Sequence, residues 1–579
     1  MFIVPNDKSL INIVILYTLS ILMTVGSILV SYCDAPLLVI LGLLLIPPYV
    51  IYIYNEKKFH TMAIVTLAVN LVLLIPLHGI LVSADFNTEF TSGKITTSYG
   101  IFMPDFSPPH SAVAVNSLFN PILSIITKID ILQIFRFSAV IPAFLLSITS
   151  LLFYRFLLKE EEAFVSTILL ITEFYIIEGC VWPARHLYSL ALLLLLVYEF
   201  VIDRKTVVFL SIGVAMYYYA MGYLSVIFIL LFALILAVVY KREINVYMRM
   251  EKTIAYGAIL AIIIFSSTFL WYSQKGSILS VTGHINNIIR FLNEMFEGIE
   301  VKHLASYERR LVQPTHLADY LTYGSIFLLI FLSGLGTVYV LMELMKGEAD
   351  NNSGKMLAQV FILASWILFA SFSVPLMAGS LGISRVYEVS FIFFAAMIPI
   401  GLQVIVKIFQ KIFKHRDLYL VASGIILLLS IMANTKMYYY IFNEEPLSIM
   451  FTKKGAQDNI WRVSEAESEA GLFLMKYKAD PYPIYGDAYS LRKISLFWKG
   501  TSAKAYSSLF LNLPAEGLRD GYVFLDRYNL FSGNFLIYGV AWTFAPLKLS
   551  NLPCNNKIYS DNNYSEIYFI SARAFIRGC

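Results

Sequence analysis

Three short stretches carry residue types able to act on a polar substrate at the rim of an apolar environment. The first is Ala84-Asp85-Phe-Asn-Thr-Glu89. A carboxylate here could take the proton of an acceptor hydroxyl, or ligate a divalent metal (Mg or Mn) through oxygen; the plainer alternative is a solvated loop acid. The second is Trp182-Pro-Ala-Arg185-His186-Leu-Tyr188. A guanidinium at the start of a helix can grip a phosphate with two parallel hydrogen bonds, or simply snorkel to lipid headgroups. The third is Ile383-Ser-Arg385-Val-Tyr387-Glu388. Arg385 could bind a phosphate with help from the positive end of a helix dipole, while Glu388, one turn on, could merely pair with it. His186 and Tyr387 flank the two arginines and are substrate-contact candidates with them. Asp105, His110, His303, Arg309 and Arg310 also lie in polar stretches, where solvated loop charge is the simpler reading.

The elements that must position these residues are written in the composition. Of 579 residues, 58% are hydrophobic and 14% charged, against about 45–50% and about 25% in a soluble domain. Lipid is therefore the main solvent. The 38 Tyr and 43 Phe suit a chain with many membrane–water boundaries. A net charge of +4 gives no global basic signal for nucleic acid.

A helix needs about 20 apolar residues to cross about 30 Å of hydrocarbon. That ruler predicts about thirteen spanning helices, near 10–31, 35–54, 62–83, 131–155, 163–179, 187–202, 206–221, 223–240, 253–272, 321–345, 357–374, 387–406 and 417–441. Those within 206–240 are short and could instead form one helical hairpin turning at Gly222. Leu10–Val30 has no A-x-A-type cleavage site and reads as the first span rather than a signal peptide. If the helices alternate, Lys57, Lys58, Arg155, Lys159, Arg204, Lys205, Lys241, Arg242, Lys346, Lys407 and Arg416 all fall on one side, which is assigned to the cytoplasm. The amino terminus is then cytoplasmic. The loops 84–130 and 273–320 and the tail are outside, as expected of a multi-pass plasma-membrane protein.

Ser117–Thr127 is apolar but too short to span and predicts a re-entrant or interfacial helix; His284–Phe296 is amphipathic and could also lie on the surface. After residue 441 the composition changes. Glu465–Tyr477 has helical spacing, Pro483-Ile-Tyr and Tyr522-Val-Phe-Leu read as short strands, and 557–568 reads as a hairpin about Asp-Asn-Asn. The division is thus a membrane module, 1–441, and a small extracytoplasmic α/β domain, 442–579.

Several chemistries lack their signatures. Ser353-Gly-Lys-Met356 has neither the upstream Gly nor the Ser/Thr of a phosphate-binding loop, and there is no HExxH or G-x-S-x-G. Gly334-Leu-Gly336 lies inside an apolar run and points to close helix packing. No two of Cys33, Cys180, Cys554 and Cys579 have metal-ligand spacing. Cys554 and Cys579 share the tail and could be a disulfide or free thiols.

An acid-bearing first external loop running through a Pro-rich segment into a short interfacial helix, then many helices, then an external α/β tail, resembles the GT-C superfamily of membrane glycosyltransferases. More closely, the chain is similar to an archaeal family of multi-pass membrane proteins. Asn116-Ser-Leu-Phe-Asn-Pro-Ile-Leu-Ser124, Ala184–Tyr188, Ile383–Glu388 and Asn556-Lys-Ile-Tyr559 carry that likeness. The resemblance implies a polyprenyl-phosphate-linked sugar donor used on the outer face, and an essential acid that falls on Asp85. Many members pair acids within two residues; here Glu89 is four away, which leaves metal dependence open. The implied mechanism is an inverting displacement with Asp85 as general base, and with Arg385 first and Arg185 second as stabilisers of the leaving phosphate. The rival expectations are a flippase or permease for lipid-linked glycans, disfavoured by the lack of a repeat, and a non-catalytic membrane protein displaying its tail. Sugar and acceptor are not encoded in any motif.

Overall fold

The computed structural model describes residues 7–33, 35–74, 80–81, 84–100, 102, 113–173, 184–239, 244–273, 316–345, 353–373, 383–413, 418–444, 462–477, 484–486, 488–495, 521–526, 529–530, 534–537, 543–546, 556–561 and 565–570. Its contacts divide the chain into two units. One is Met1–His78 with Ser92–Pro446; the other is Gly79–Thr91 with Leu447–Cys579.

The first unit is a helical membrane protein. Its helices are α1 (Asp7–Cys33), α2 (Leu37–Ile53), α3 (His60–Leu73), α4 (Ala84–Tyr99, whose first residues belong to the second unit), α5 (Asn120–Thr127), α6 (Ile131–Phe137), α7 (Val140–Tyr154), α8 (Glu160–Ile171), α9 (Arg185–Val201), α10 (Val207–Tyr217), α11 (Tyr219–Val239), α12 (Ile244–Ser273), α13 (Leu317–Met345), α14 (Ser353–Ser373), α15 (Ile383–Phe413), α16 (Leu418–Asn434) and α17 (Met437–Ile441). Among the described residues, seven helical segments are long and apolar enough to cross a membrane: Leu10–Val30, Ile131–Tyr154, Met221–Val238, Glu251–Tyr272, Leu317–Glu343, Gly354–Ser371 and Val386–Gln410.

Helices stand within the apolar runs, but several runs differ in detail: 131–155 is divided into α6 and α7, 417–441 into α16 and α17, and α8 ends at Ile171. The run 62–83 is not one helix: α3 stops at Leu73, and Ile80–Leu81 are a strand. The stretch from 84 is not open loop, because Ala84–Tyr99 is helical. The chain turns at Tyr218, whose backbone is extended (φ −159°, ψ 118°), and not at Gly222. Gly222 lies within α11, where a Cβ would come within 2.5 Å of Thr268 Oγ1 on α12; it is a close-packing residue. α10 is also only about 16 Å long at 1.5 Å per residue, half a bilayer.

Side-chain pairs join helix ends into two groups, as an up-and-down arrangement requires. In one group Lys57 pairs with Glu161 at 3.0 Å and Arg155 with Glu160 at 2.6 Å. The Tyr54 ring meets Tyr419, and Phe156 meets Tyr198. These bring together the ends of α2, α7 and α9 and the starts of α8 and α16. The other group contains the starts of α9, α11 and α15 and the ends of α10 and α14. Between the two, α13 and α15 touch backbone to backbone. A Cβ on Gly401 would lie 1.9 Å from Leu332 O, and one on Gly336 2.2 Å from Met397 O. Gly336 is therefore a packing glycine, as its apolar surroundings imply.

The second unit is built on a four-stranded sheet in the order β3-β4-β8-β7, with β3 (Ile484–Tyr485) parallel to β4 (Gly521–Leu525) and β7 (Asn556–Asp561) and β8 (Ser565–Ile570) antiparallel. All five β4 residues are buried, as a central strand covered on both faces demands. Helices α18 (Glu465–Tyr477) and α19 (Ala488–Ser495) supply Ala470, Leu474 and Ile494 to a core shared with Ile484, Tyr522, Phe524 and Ile567. The helix, strands and hairpin expected after residue 441 are all present. Two further pairs are β5 (Asn534–Ile537) with β6 (Thr543–Pro546), and β1 (Ile80–Leu81) with β2 (Arg462–Val463).

A capping box starts α18: Ser464 N–H donates to Glu467 Oε2 at 2.7 Å, and Glu467 N–H donates to Ser464 Oγ at 3.2 Å. The other Glu467 oxygen accepts from Lys493 Nζ at 2.7 Å, and Asp526 Oδ2 lies 2.9 Å from the same ammonium, with no more than 1% of any of the three side chains exposed. Asp526 also accepts from the Asn529 N–H at 2.9 Å. The buried charges are paired and hydrogen-bonded, which is what makes their burial tolerable.

Candidate functional site

The site is built on the first turns of α9 and α15. Arg185 opens α9, and apolar residues at Leu187, Leu190, Ala191 and Leu194 bury the helix. Arg185 is itself buried, with its guanidinium carbon 4.9 Å from the centroid of the Tyr218 ring, a cation–π distance. The His186 ring stands 4.3 Å from that same ring, tilted by 51°. Tyr218, the extended residue between α10 and α11, thus seats both basic side chains. The Tyr188 ring continues the cluster, 5.3 Å from Tyr217 and 5.9 Å from Phe119.

α15 contributes from the other side. His186 Nδ1 lies 3.9 Å from Glu388 Oε2. Glu388 thus faces His186 across two helices. Tyr387 is buried between Phe369 and Phe391, with centroids at 6.2 and 5.3 Å. Arg385 lies within the first turn of α15, and its side chain lies outside the described residues. Phe119 comes from Val115–Phe119, a π-helical turn leading into α5, and Asn120 Nδ2 donates to Asn116 Oδ1 at 2.9 Å. Single π-turns recur at functional sites.

What this arrangement can do is hold an anionic oxygen. The guanidinium keeps its charge at any physiological pH, and the start of a helix adds positive potential.

Asp85 and Glu89 fall in the second unit, on the first turns of α4. The Asp85 side chain lies outside the described residues. Glu89 is fully buried, which is not how a solvated loop acid stands. Further along the helix, Gly93 passes so close to Asn116 that a Cβ would come within 2.6 Å of its carbonyl oxygen. Asp105, His110, His303, Arg309, Arg310, the segment His284–Phe296, Cys180, Cys554 and Cys579 lie outside the described residues. Among the described residues no three His, Cys, Asp or Glu side chains group as a metal site, so no ligand set for Mg or Mn can be assembled from them.

Sequence reasoning missed Tyr218 and the approach of His186 to Glu388. The triplet Tyr217-Tyr218-Tyr219 closing an apolar run was the one available signal for the former; the latter is a long-range contact without a local signature.

Solved structures with a similar course include the oligosaccharyltransferase AglB from Archaeoglobus fulgidus, in complex with an inhibitory peptide and a dolichol-phosphate. It is 12% identical with a TM-score of 0.46, covering 86% of this chain and 75% of that one. ArnT from Cupriavidus metallidurans in the apo state is 11% identical with a TM-score of 0.45, covering 90% of this chain and 99% of that one. Both neighbours are GT-C glycosyltransferases, the superfamily that the loop pattern resembles. At TM-scores below 0.5 neither likeness by itself carries a fold or an activity to this chain. No curated protein matches the chain. The profile of the family described as "Predicted membrane protein (DUF2206)" matches residues 205–568, more than half of the chain, and the chain belongs to that family.

Proposed function

We propose that the chain is a membrane glycosyltransferase that moves a sugar from a polyprenyl-phosphate-linked donor to an acceptor on the outer face of the plasma membrane. The observation that carries this reading is the meeting of the Arg185–His186 helix start with that of Tyr387–Glu388, sealed by the 3.9 Å approach of His186 to Glu388. Both segments are among those through which the sequence resembles the archaeal family of multi-pass membrane proteins. The amino terminus is taken as cytoplasmic and the C-terminal unit as external, because the basic residues fall on one side of the membrane if the apolar runs alternate.

In this reading Asp85 takes the proton of the acceptor hydroxyl, with Glu89 as the second acid of the same helix. The acceptor oxygen attacks the anomeric carbon, the bond to the donor phosphate breaks, and the configuration inverts. The pair of electrons leaves on the lipid phosphate. Arg385 and Arg185 stabilise that growing charge, and His186 and Tyr387 position the donor headgroup. No step is routed through a metal. The C-terminal unit selects the acceptor.

The test is sugar transfer from a labelled polyprenyl-phosphate donor in membranes carrying Asp85→Asn. A fall of about 10²–10⁴-fold is expected of a lost general base; unchanged turnover removes Asp85 from the mechanism. Labelled donor that crosses the bilayer uncleaved in the wild type would replace the reading with lipid transport.

A further inference from the structure

The acids of α4 reach their place through the far end of the chain. Gly79–Thr91 groups by contacts with Leu447–Cys579, not with the helices that precede and follow it. The physical link is the antiparallel pair β1–β2, with Ile80 opposite Val463 and Leu81 opposite Arg462. Asp85 follows Leu81 by four residues, and Glu89 is fully buried one turn further along.

β2 is itself firmly held. Arg462 and Val463 are buried, with 6% and 7% exposed. The next residue is Ser464, the N-cap of α18, whose hydroxyl and backbone exchange hydrogen bonds with Glu467. Glu467 is locked by Lys493, and Lys493 by Asp526 at the end of β4. A chain of short contacts thus runs from the centre of the sheet, through the buried ion triad and the cap, to the strand on which Ile80–Leu81 lie. An isolated two-residue pairing would be marginal; here one of its strands is anchored to a core.

We propose that Arg462–Val463 is the positioning element for the acids of α4, so that the C-terminal unit sets where Asp85 and Glu89 stand. The tail is then more than an acceptor-selecting cap, because it supplies the seat of the acidic segment. The catalytic consequence rests on reading Asp85 as the base; the seating does not.

The test uses the full chain in membranes with its four cysteines replaced by serine and Asp85→Cys as a probe. The rate of maleimide modification at position 85 is compared with and without Ile80→Pro, and separately Val463→Pro, since proline is poorly tolerated within a paired strand. Tail integrity is followed by protease resistance. At least a tenfold change in the labelling rate at position 85 is expected in Ile80→Pro with the tail intact; rates within twofold overturn the proposal. In the serine background that keeps Asp85, Ile80→Pro should lower kcat for sugar transfer at least tenfold with donor KM within twofold, a split that general destabilisation would not give.

Because Val463→Pro could unfold the tail, a second variant carries Ile80→Cys with Val463→Cys, which face each other across the strands. A disulfide should form on oxidation and leave kcat within twofold. Absence of the cross-link, or activity lost on oxidation and restored by reduction, overturns a fixed seat. If the thiol probe at position 85 responds to Ile80→Pro while Asp85→Asn leaves transfer unchanged, the seat stands and the reading of Asp85 as base falls.

Discussion

His186 and Glu388 face each other at 3.9 Å from the first turns of two helices far apart in sequence. A polar pair of this kind is held by packing around it, and the Tyr218 ring supplies that packing on the His186 side. The two side chains should act as one unit in binding a donor phosphate. His186→Ala and Glu388→Gln should each raise the donor KM several-fold. The double variant should be little worse than either single one, with a coupling of about 1 kcal/mol. Additive effects in that double-mutant cycle would show that the pair is not a unit.

Tyr218 offers its ring face to Arg185, with the guanidinium carbon 4.9 Å from the ring centroid. Tyr218→Phe should therefore leave donor KM within twofold, whereas Tyr218→Leu should raise it by roughly an order of magnitude, equivalent to about 1–2 kcal/mol of desolvated cation–π contact. Donor titration of the purified variants separates these outcomes.

Gly401 has no room for a methyl group, since its Cβ would meet Leu332 O at 1.9 Å. Gly401→Ala should push α13 and α15 apart and lower the thermal unfolding midpoint in detergent, at a cost of about 1–3 kcal/mol. Gly324 is the control: nothing lies within 4 Å of its Cβ position, so Gly324→Ala should leave the midpoint unchanged or slightly raised.

Lys493 makes the C-terminal unit sensitive to alkali. Burial alone pushes its ammonium down, but the charges of Asp526 and Glu467 outweigh burial and hold it above its ordinary 10.5. A folded-state value above the unfolded one stabilises the protonated fold. That contribution is complete at neutral pH and is lost as pH climbs past 10.5 and through the folded value. Protease resistance of the tail should collapse in that alkaline window. At pH 7 Lys493→Met should cost about 3–5 kcal/mol, because it strands two buried carboxylates. Retention of resistance by Lys493→Met would show that the triad is dispensable.

Much of the architecture is legible from hydrophobic runs, because a bilayer demands a fixed length of apolar chain. The α18 helix is legible for a different reason: Ser464 and Glu467 sit at capping-box spacing ahead of an amphipathic stretch. What hydropathy could not resolve is where a run changes conformation without changing polarity. Ile80 and Leu81 are as apolar as the helix before them, yet they pair as a strand. Ala84–Tyr99 has no apolar periodicity and reads as loop; it is a helix whose Gly93 fits closely against Asn116. Tyr218 breaks a run without the proline or glycine that signals a break. At the site, each basic residue could be read locally as a helix-start cation. The facing of His186 by Glu388 could not, because residue spacing predicts partners within one helix and is silent between two.

The contact between Gly336 and Gly401 has a mechanical corollary. Where two helices meet through their main chains there is no layer of side chains to repack, so α13 and α15 can neither slide nor roll on each other by small steps. About 20 Å of helix, with Pro399 inside it, separates that contact from Glu388. The start of α15 is held as well, by Tyr387 between Phe369 and Phe391 and by Glu388 against His186, so a rearrangement that accompanies ligand entry falls to the helices outside the clamp.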